Sequence, residues 1–427
     1  MNQDIVSEMI QTRRQLHRRP EEGWTEFEST HLIVNRLKQL GYEDVRVGKD
    51  CINEKCVLGR NPELIAREEL RAVQAGVPAE FLKSCGHYTG AVAMLDTGRP
   101  GPVTALRFDI DCVLVEETDA AEHEPNKEGF ASERPGLMHA CGHDAHTAVG
   151  LAVARWVMEN KDRLAGKIKL VFQPAEEGVR GGYAIANSGL LDDVDYIFGS
   201  HCGGKAKPGE IALCRAGFLA SSKLDIRFKG EPSHAGNEPH KGHSALMAAC
   251  AASMMMVGIP RHGAGASRIA VGKLTAGEGR NVTPVNALIQ IETRGETAEI
   301  NKYMVQNVEN IVRGVAAAYQ VLYSITKAGE ATTLIDCPEA AEIVREAAQT
   351  VPGVTRIFDL SAPGGSEDFT WMLQRVVEHG GKGCMFRWGC LHHGHHKADF
   401  DLQDAQSMPL ALGVFCAVLQ KVNGSAS

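Results

Sequence analysis

The run Met138-His139-Ala140-Cys141-Gly142-His143-Asp144-Ala145-His146 gathers three histidines, a cysteine and an aspartate into one short segment. It lies between the turn signal Pro135-Gly136 and the apolar stretch Val149-Gly150-Leu151-Ala152-Val153. That setting predicts a loop feeding a helix, with polar side chains collected at the helix N-terminus. Thiolate, imidazole and carboxylate are the ligand set of Zn²⁺ and neighbouring divalent metals. Ligands this close in sequence cannot close a site, so the fold must bring the rest from far away. Three segments qualify. Gln173-Pro174-Ala175-Glu176-Glu177-Gly178 follows the strand-like run 168–172, and Gly199-Ser200-His201-Cys202 follows the strand-like run 195–198. The third is His392-His393-Gly394-His395-His396, near the C-terminus. Two of the three sit where strands end, which is where open α/β sheets place their chemistry. Taken singly, a Glu-Glu pair is ordinary solvated surface and a strand-end His an ordinary satisfied polar group. Together, in this order, they point to a metal centre. A cysteine-nucleophile hydrolase using Cys141 is a rival reading, but no local signature of that class is present.

Length and charge narrow the class. At 427 residues the chain exceeds the usual single-domain size, so two domains are expected. A net charge of -8 with no basic stripe argues against nucleic acid and against anionic membrane surfaces. The N-terminus lacks a basic region followed by an apolar one, and no uninterrupted apolar run reaches a bilayer span, so a cytoplasmic protein is expected. Its twelve cysteines show no compact framework spacing, which fits free thiols in a reducing compartment.

Read in order, residues 4–18 carry apolar positions at helical spacing, and a second helix over 26–40 ends at Gly41. His17, in the connection between them, is read as structural. Residues 51–88 form a charged helical insertion, clearest over 63–74, which either covers a site or decorates the surface. Residues 90–96 and 103–110 read as paired strands around Gly98-Arg99-Pro100-Gly101-Pro102. Asp109 and Asp111 fall on one face of the second, by alternation. A helix to about 160, a strand over 168–172, a helix over 178–188 and strands carrying His201 and residues 208–213 follow. Over 221–328 the order becomes strand, helix, strand, strand, helix, strand, a ferredoxin-like pattern. Met254-Met255-Met256 lies on the first of these helices and is read as packed into its core. From about 330, helices over 338–350 and 366–378 return to the earlier style. The predicted class is therefore α/β, with a discontinuous first domain.

Beyond these pieces, the chain carries Ser233-His234-Ala235-Gly236, Gly279-Arg280-Asn281-Val282-Thr283-Pro284, Glu292-Thr293-Arg294 and Ser366-Glu367-Asp368-Phe369. With the His139–Asp144 and Gln173–Gly178 segments, His201 and the late histidines, the chain resembles the dinuclear-metal amidohydrolases. That family includes aminoacylases, hippurate hydrolases and auxin-conjugate hydrolases. The resemblance runs from about residue 10 to 420. The 51–88 insertion matches a subgroup acting on aminobenzoyl amino acids.

The resemblance implies a zinc-peptidase-like catalytic domain over 1–215 and 330–427, with an inserted ferredoxin-like lid and dimerisation domain over 216–329. It implies Cys141, His143, Glu177, His201 and His396 as ligands of two divalent ions, Zn²⁺ or Mn²⁺ with Co²⁺ able to substitute. By sequence alone His395 and His396 are both open. The family's His-x-x-x-aromatic-Asp register selects His396, ahead of Phe400 and Asp401. Glu176 becomes the general base. His234 reaches a neighbouring subunit's site to hold the scissile carbonyl, Arg294 forks the substrate carboxylate and Asn281 orients substrate. Gly364-Gly365 would let backbone approach the substrate. The expected activity is hydrolysis of a small-molecule N-acyl or aminobenzoyl amino acid, foremost aminobenzoyl-glutamate, by a homodimer or a heterodimer with a related chain. An aromatic-acyl or indoleacetyl amino-acid hydrolase and a non-catalytic binding protein are the alternatives.

Overall fold

The computed structural model describes residues 3–361 and 365–425. Gly364 lies outside the described residues. Twelve described strands form two sheets: β1 (Asp44–Val47), β2 (Ala91–Asp96), β3 (Val103–Asp109), β4 (Lys167–Gln173), β5 (Tyr196–Cys202), β6 (Glu210–Cys214), β7 (Ala220–Lys229), β8 (Ser267–Ala276), β9 (Asn286–Gly295), β10 (Leu322–Ala331), β11 (Arg356–Leu360) and β12 (Lys382–Trp388). The chain divides into two compact units. One holds the chain up to Gly217 and the C-terminal segments that begin at Leu334 and at Asp368; the other holds Phe218–Thr333 with the short stretch ending at Glu367.

The first unit carries an eight-stranded mixed sheet in the order β1-β2-β4-β3-β5-β12-β6-β11. Its central strands β3, β4, β5 and β12 are buried along nearly their whole length. That burial goes with successive apolar positions such as Leu170-Val171-Phe172 and Ile197-Phe198, which a half-exposed, alternating strand would not show. β4, β3, β5 and β12 run parallel to their neighbours in this group. Their C-terminal ends therefore lie along one edge of the sheet, and the segments with polar chemistry all emerge there. Helices Gln3–Arg18, His143–Asn160 and Asp404–Asn423 pack against one another. The last is the one described helix long and apolar enough to cross a membrane, yet Leu412, Val414, Phe415 and Val418 are fully buried in the core.

Two expectations for the first unit need correction. β2 and β3 do not pair with each other; β4 lies between them, antiparallel to β2 and parallel to β3. The physical reason is that β4, buried on both faces from Ile168 to Gln173, must be central. The 97–102 loop crosses its start, with Thr97 N–H donating to Gly166 O at 3.1 Å and Lys167 N–H to Pro102 O at 3.0 Å. The helix read over 178–188 is confined to Gly182–Ala186, because Gly178 (φ 81°) and Val179 (φ 57°) hold a left-handed turn ahead of it.

In the second unit the order is β7, helix Ala245–Val257, β8, β9, helix Ala298–Tyr319, β10, and the antiparallel sheet runs β10-β7-β9-β8. Leu224, Ile226, Phe228, Ile289 and Ile291 pack with Met304, Val308 and Val312 of the longer helix. Alternation along β7 and β9 then leaves Arg227, Lys229 and Leu288 on the opposite face. Of the methionine triplet only Met256 is core; Met254 is 77% exposed and Met255 52%. Successive helix positions are turned about 100° apart, so three in a row cannot share one buried face.

Candidate metal centre

Gly142 makes the loop before helix His143–Asn160 possible. It sits at φ 84°, and a Cβ there would lie 2.5 Å from Cys202 Sγ. Its carbonyl accepts the amides of Ala145 and His146 at 3.0 and 3.1 Å, starting the helix immediately after Cys141. Cys141 and His143 are thereby aimed from one helix N-terminus at the ends of β3, β4 and β5.

Five sequence-derived residues meet there. Cys141 Sγ is 3.4 Å from His201 Nε2, and His396 Nε2 is 3.1 Å from Glu177 Oε1. Cys141, His143 and His201 form one group of converging donor atoms; Cys141, Glu177 and His396 form another. His395 is also near, its Nδ1 3.7 Å from Cys141 Sγ.

The hydrogen bonds decide which nitrogens remain available. His143 Nδ1 is 3.2 Å from Asp111 Oδ1 and must donate to it, since a carboxylate only accepts. That leaves the Nε2 lone pair, which is buried and has no hydrogen-bond partner. It lies 3.8 Å from Asp109 Oδ2, 3.8 Å from Glu176 Oε2 and 4.0 Å from Glu177 Oε1. His201 Nδ1 donates to Cys202 O at 2.8 Å, which likewise frees Nε2 toward Cys141. A buried, unpartnered nitrogen costs free energy unless something accepts its lone pair. A divalent cation fits this donor set, and a carboxylate behind the ligating imidazole is the usual supporting arrangement. His146 is different. Its Nδ1 donates to Asp109 at 2.5 Å and its Nε2 accepts the Cys202 amide at 2.9 Å, so it has no lone pair left to offer.

Electrostatics agree. Burial lowers the affinity of His143 for a proton, yet Asp109, the bond to Asp111 and Cys141 raise it well above the usual imidazole value. Hydrogen bonds to Cys141 and Glu177 push His396 up to about 10. The pocket thus favours positive charge in its midst.

The sequence shows Asp111 only as a spaced neighbour of Asp109. In the structure it accepts the Glu176 amide at 3.1 Å and the Glu177 amide at 2.9 Å, besides the His143 ring. Glu26 accepts the preceding amide, Ala175, at 2.7 Å. Three successive amides are therefore pinned by two carboxylates, holding Ala175 at φ 52°, a conformation costing an L-residue of order 1 kcal/mol. One aspartate fixes the orientation of both glutamates and of His143.

A second buried network lies behind the loop. Arg13 Nε donates to Asp144 at 2.8 Å, and its other nitrogens reach Asp401 at 2.9 Å and Asp404 at 3.4 Å. His17 bridges Asp144 at 2.7 Å and Glu117 at 3.0 Å, as its structural reading requires. The readable signal is the spacing Ile5, Met9, Arg13, His17, which puts two charged side chains on the apolar face of the first helix. The 62–74 helix is held separately, through Arg71, which donates to Glu21 at 2.6 Å.

His234, Asn281 and Arg294 belong to the second unit. His234 Nδ1 accepts the amides of Gly236 and Asn237, both at 3.1 Å, so its proton sits on Nε2. Asn281 is adjacent, its carbonyl accepting the Ala235 amide at 3.1 Å. Arg294 lies elsewhere, near the end of β9, where it touches Glu292 at 3.1 Å.

A family model described as peptidase family M20/M25/M40 matches residues 105–421. The chain is 44% identical over 423 residues to a Haemophilus influenzae homolog of one p-aminobenzoyl-glutamate hydrolase chain, covering 99% of this chain and 100% of that protein. It is 42% identical over 404 residues to the indole-3-acetyl-aspartic acid hydrolase of Enterobacter agglomerans, covering 94% and 92%. A solved structure, the aminobenzoyl-glutamate utilization protein from Klebsiella pneumoniae, matches with a TM-score of 0.83 at 35% identity, over 98% of this chain and 96% of that one. Fold and donor set together are those of a metal-dependent hydrolase of amide bonds. The chain belongs to peptidase family M20/M25/M40.

Proposed function

We propose that this hydrolase cleaves p-aminobenzoyl-glutamate to p-aminobenzoate and glutamate. The carrying observation is the buried, unpartnered His143 Nε2 beside Glu176 and Glu177, in a chain 44% identical to a relative named for that substrate. Indoleacetyl-aspartate is the second reading, favoured by the 42% identity to the Enterobacter enzyme. Both are amides of an acidic amino acid.

We assign Cys141, His143, Glu177, His201 and His396 as ligands of two divalent ions. The support is the pair of donor groups that share Cys141. Zn²⁺ or Mn²⁺ suits a thiolate, imidazole and carboxylate mixture, with Co²⁺ able to substitute. When bound, the ions supply Lewis acidity that brings a water's pKa toward neutrality and polarises the scissile carbonyl. Glu176, oriented by Asp111, takes the proton of the attacking water and passes it to the departing glutamate nitrogen. His234 Nε2–H donates a hydrogen bond to the carbonyl oxygen as charge develops there. Arg294 offers a planar fork to a carboxylate, and Asn281 orients the substrate beside His234.

The second unit reads as a ferredoxin-like lid that also dimerises, supported by its strand order. Arg294 pairs in register with Ser221 at the start of β7, while His234 follows Lys229 at its far end. From Ser221 to Lys229 a strand rises roughly 26 Å. One small amide cannot span that distance, so if both residues touch substrate they come from two chains. Mixing inactive His234→Ala chains with inactive Glu176→Gln chains is expected to regain up to one working site per hybrid dimer. Absence of recovery despite demonstrated chain exchange counts against sharing.

The direct test is release of p-aminobenzoate from p-aminobenzoyl-glutamate by purified protein supplied with Mn²⁺ or Zn²⁺. No release under either metal, with metal bound, overturns this substrate assignment.

A further inference from the structure

The outer face of the β10-β7-β9-β8 sheet carries a pairing that its packing does not explain. Arg268 of β8 lies directly opposite Arg294 of β9 in the antiparallel register. Directly opposed residues share one face, with Cβ atoms about 4.5–5.5 Å apart, and like charges so placed destabilise a sheet. Arg294 is steadied by Glu292 at 3.1 Å. That glutamate is already claimed by Lys223 at 2.6 Å, so Lys223 and Arg294 share it, while Asp225, the next acid along that face, accepts Gln290 Nε2 at 3.0 Å. Arg268 is exposed and has neither a hydrogen bond nor an ion pair among the described residues. Glu296, the next acid along the chain, accepts the Ala266 amide at 2.8 Å instead. Two guanidinium groups side by side, one without a partner, form a site for two carboxylates, or for one dicarboxylate.

Resting on the proposed function, we infer that Arg268 and Arg294 together clamp the two carboxylates of the substrate's acidic amino acid, Arg268 being the residue that selects a glutamate or aspartate conjugate over a neutral one. A fork on Arg294 alone accounts for recognition of one carboxylate, which every N-acyl amino acid has. The additional cation opposite it gives the second carboxylate a partner at the spacing of neighbouring strands. A substrate lacking that group would leave the arginine pair with its mutual repulsion unrelieved, so discrimination comes from both attraction and its absence.

The test compares p-aminobenzoyl-glutamate with p-aminobenzoyl-glutamine, which keeps the α-carboxylate and replaces only the side-chain charge. Both kcat/KM and equilibrium binding by calorimetry are measured for the full chain with Mn²⁺. Wild type is expected to prefer the glutamate conjugate by roughly 10- to 100-fold, the scale of one charge-assisted hydrogen bond. Arg268→Gln should bring the ratio near one by weakening the glutamate conjugate alone. Arg268→Lys should restore part of it. Lys273→Gln, on the same face opposite Gln290, should leave the ratio unchanged. Hydrolysis without a glutamate preference, or a preference that survives Arg268→Gln, overturns the clamp and leaves the proposed function standing. Selective binding that Arg268→Gln abolishes, without hydrolysis, upholds the clamp and overturns the function. Neither binding preference nor hydrolysis overturns both.

Discussion

Glu176→Gln is expected to retain near-wild-type metal and to lose at least about 10²-fold in kcat, the usual scale for removal of a general base. The two adjacent glutamates differ in what they touch. Glu177 Oε1 is 3.1 Å from His396 Nε2 and belongs to a donor group with Cys141. Glu176 belongs to a group with His143 and Glu177, at 3.8 Å from His143 Nε2, and is buried. The amide of Gln keeps the volume of the carboxylate and its backbone tie to Asp111, so the loop holds its shape. What disappears is the proton acceptor. Metal analysis and steady-state rates on the same preparation separate the outcomes: unchanged turnover with lost metal would reverse the roles of the two glutamates.

His143→Ala should be more drastic, lowering bound divalent metal and taking activity to background. Among the described residues, His143 Nε2 is the one buried, unpartnered nitrogen of the loop that is ringed by Asp109, Glu176 and Glu177. Its removal leaves those carboxylates facing one another in a pocket built to hold positive charge, so loss of metal and loss of local order come together. Elemental analysis with thermal melting in the presence and absence of added Mn²⁺ reads both. Prolonged chelation of the wild type should reproduce the loss of activity. An enzyme working through the Cys141 thiol would survive chelation, and that result would refute the metal assignment.

The site was legible where a residue's job depends on its type and its place at a strand end. Cys141, His143, Glu177 and His201 stand out by type and place, but their assignment as ligands, and that of Glu177 over Glu176, came from the family resemblance; the structure brings the four side chains together. His396 needed a family register, because His395 stands beside it with equal chemistry and reaches Cys141 as well. What could not be read was who holds whom. Asp111 looks like the i+2 neighbour of Asp109, yet its three bonds go to segments 32, 65 and 66 residues away. His146 matches its neighbours in type and is excluded as a ligand only by the Cys202 amide on its Nε2. The β2–β3 hairpin failed for a related reason: local turn signals say where a strand stops, while the burial demand of β4, distant in sequence, decides its neighbour. In the second unit the order of strands and helices matches the one read from the sequence, because β7, β9 and the 298–319 helix carry clear alternating or amphipathic patterns.

The Arg13 cluster bears on the order in which the polypeptide can mature. Its guanidinium binds Asp144, Asp401 and Asp404, the last 391 positions further along the chain. During synthesis the buried arginine must wait, with Asp144, until Asp401 and Asp404 have left the ribosome. The Phe218–Thr333 unit has its core partners within itself and can settle while the surrounding one is still open. Long-range closure of this kind is slow, because the entropy of a large loop is lost before its contacts form. The first helix therefore acts as a late clasp: the first unit closes only when Arg13 meets Asp401 and Asp404.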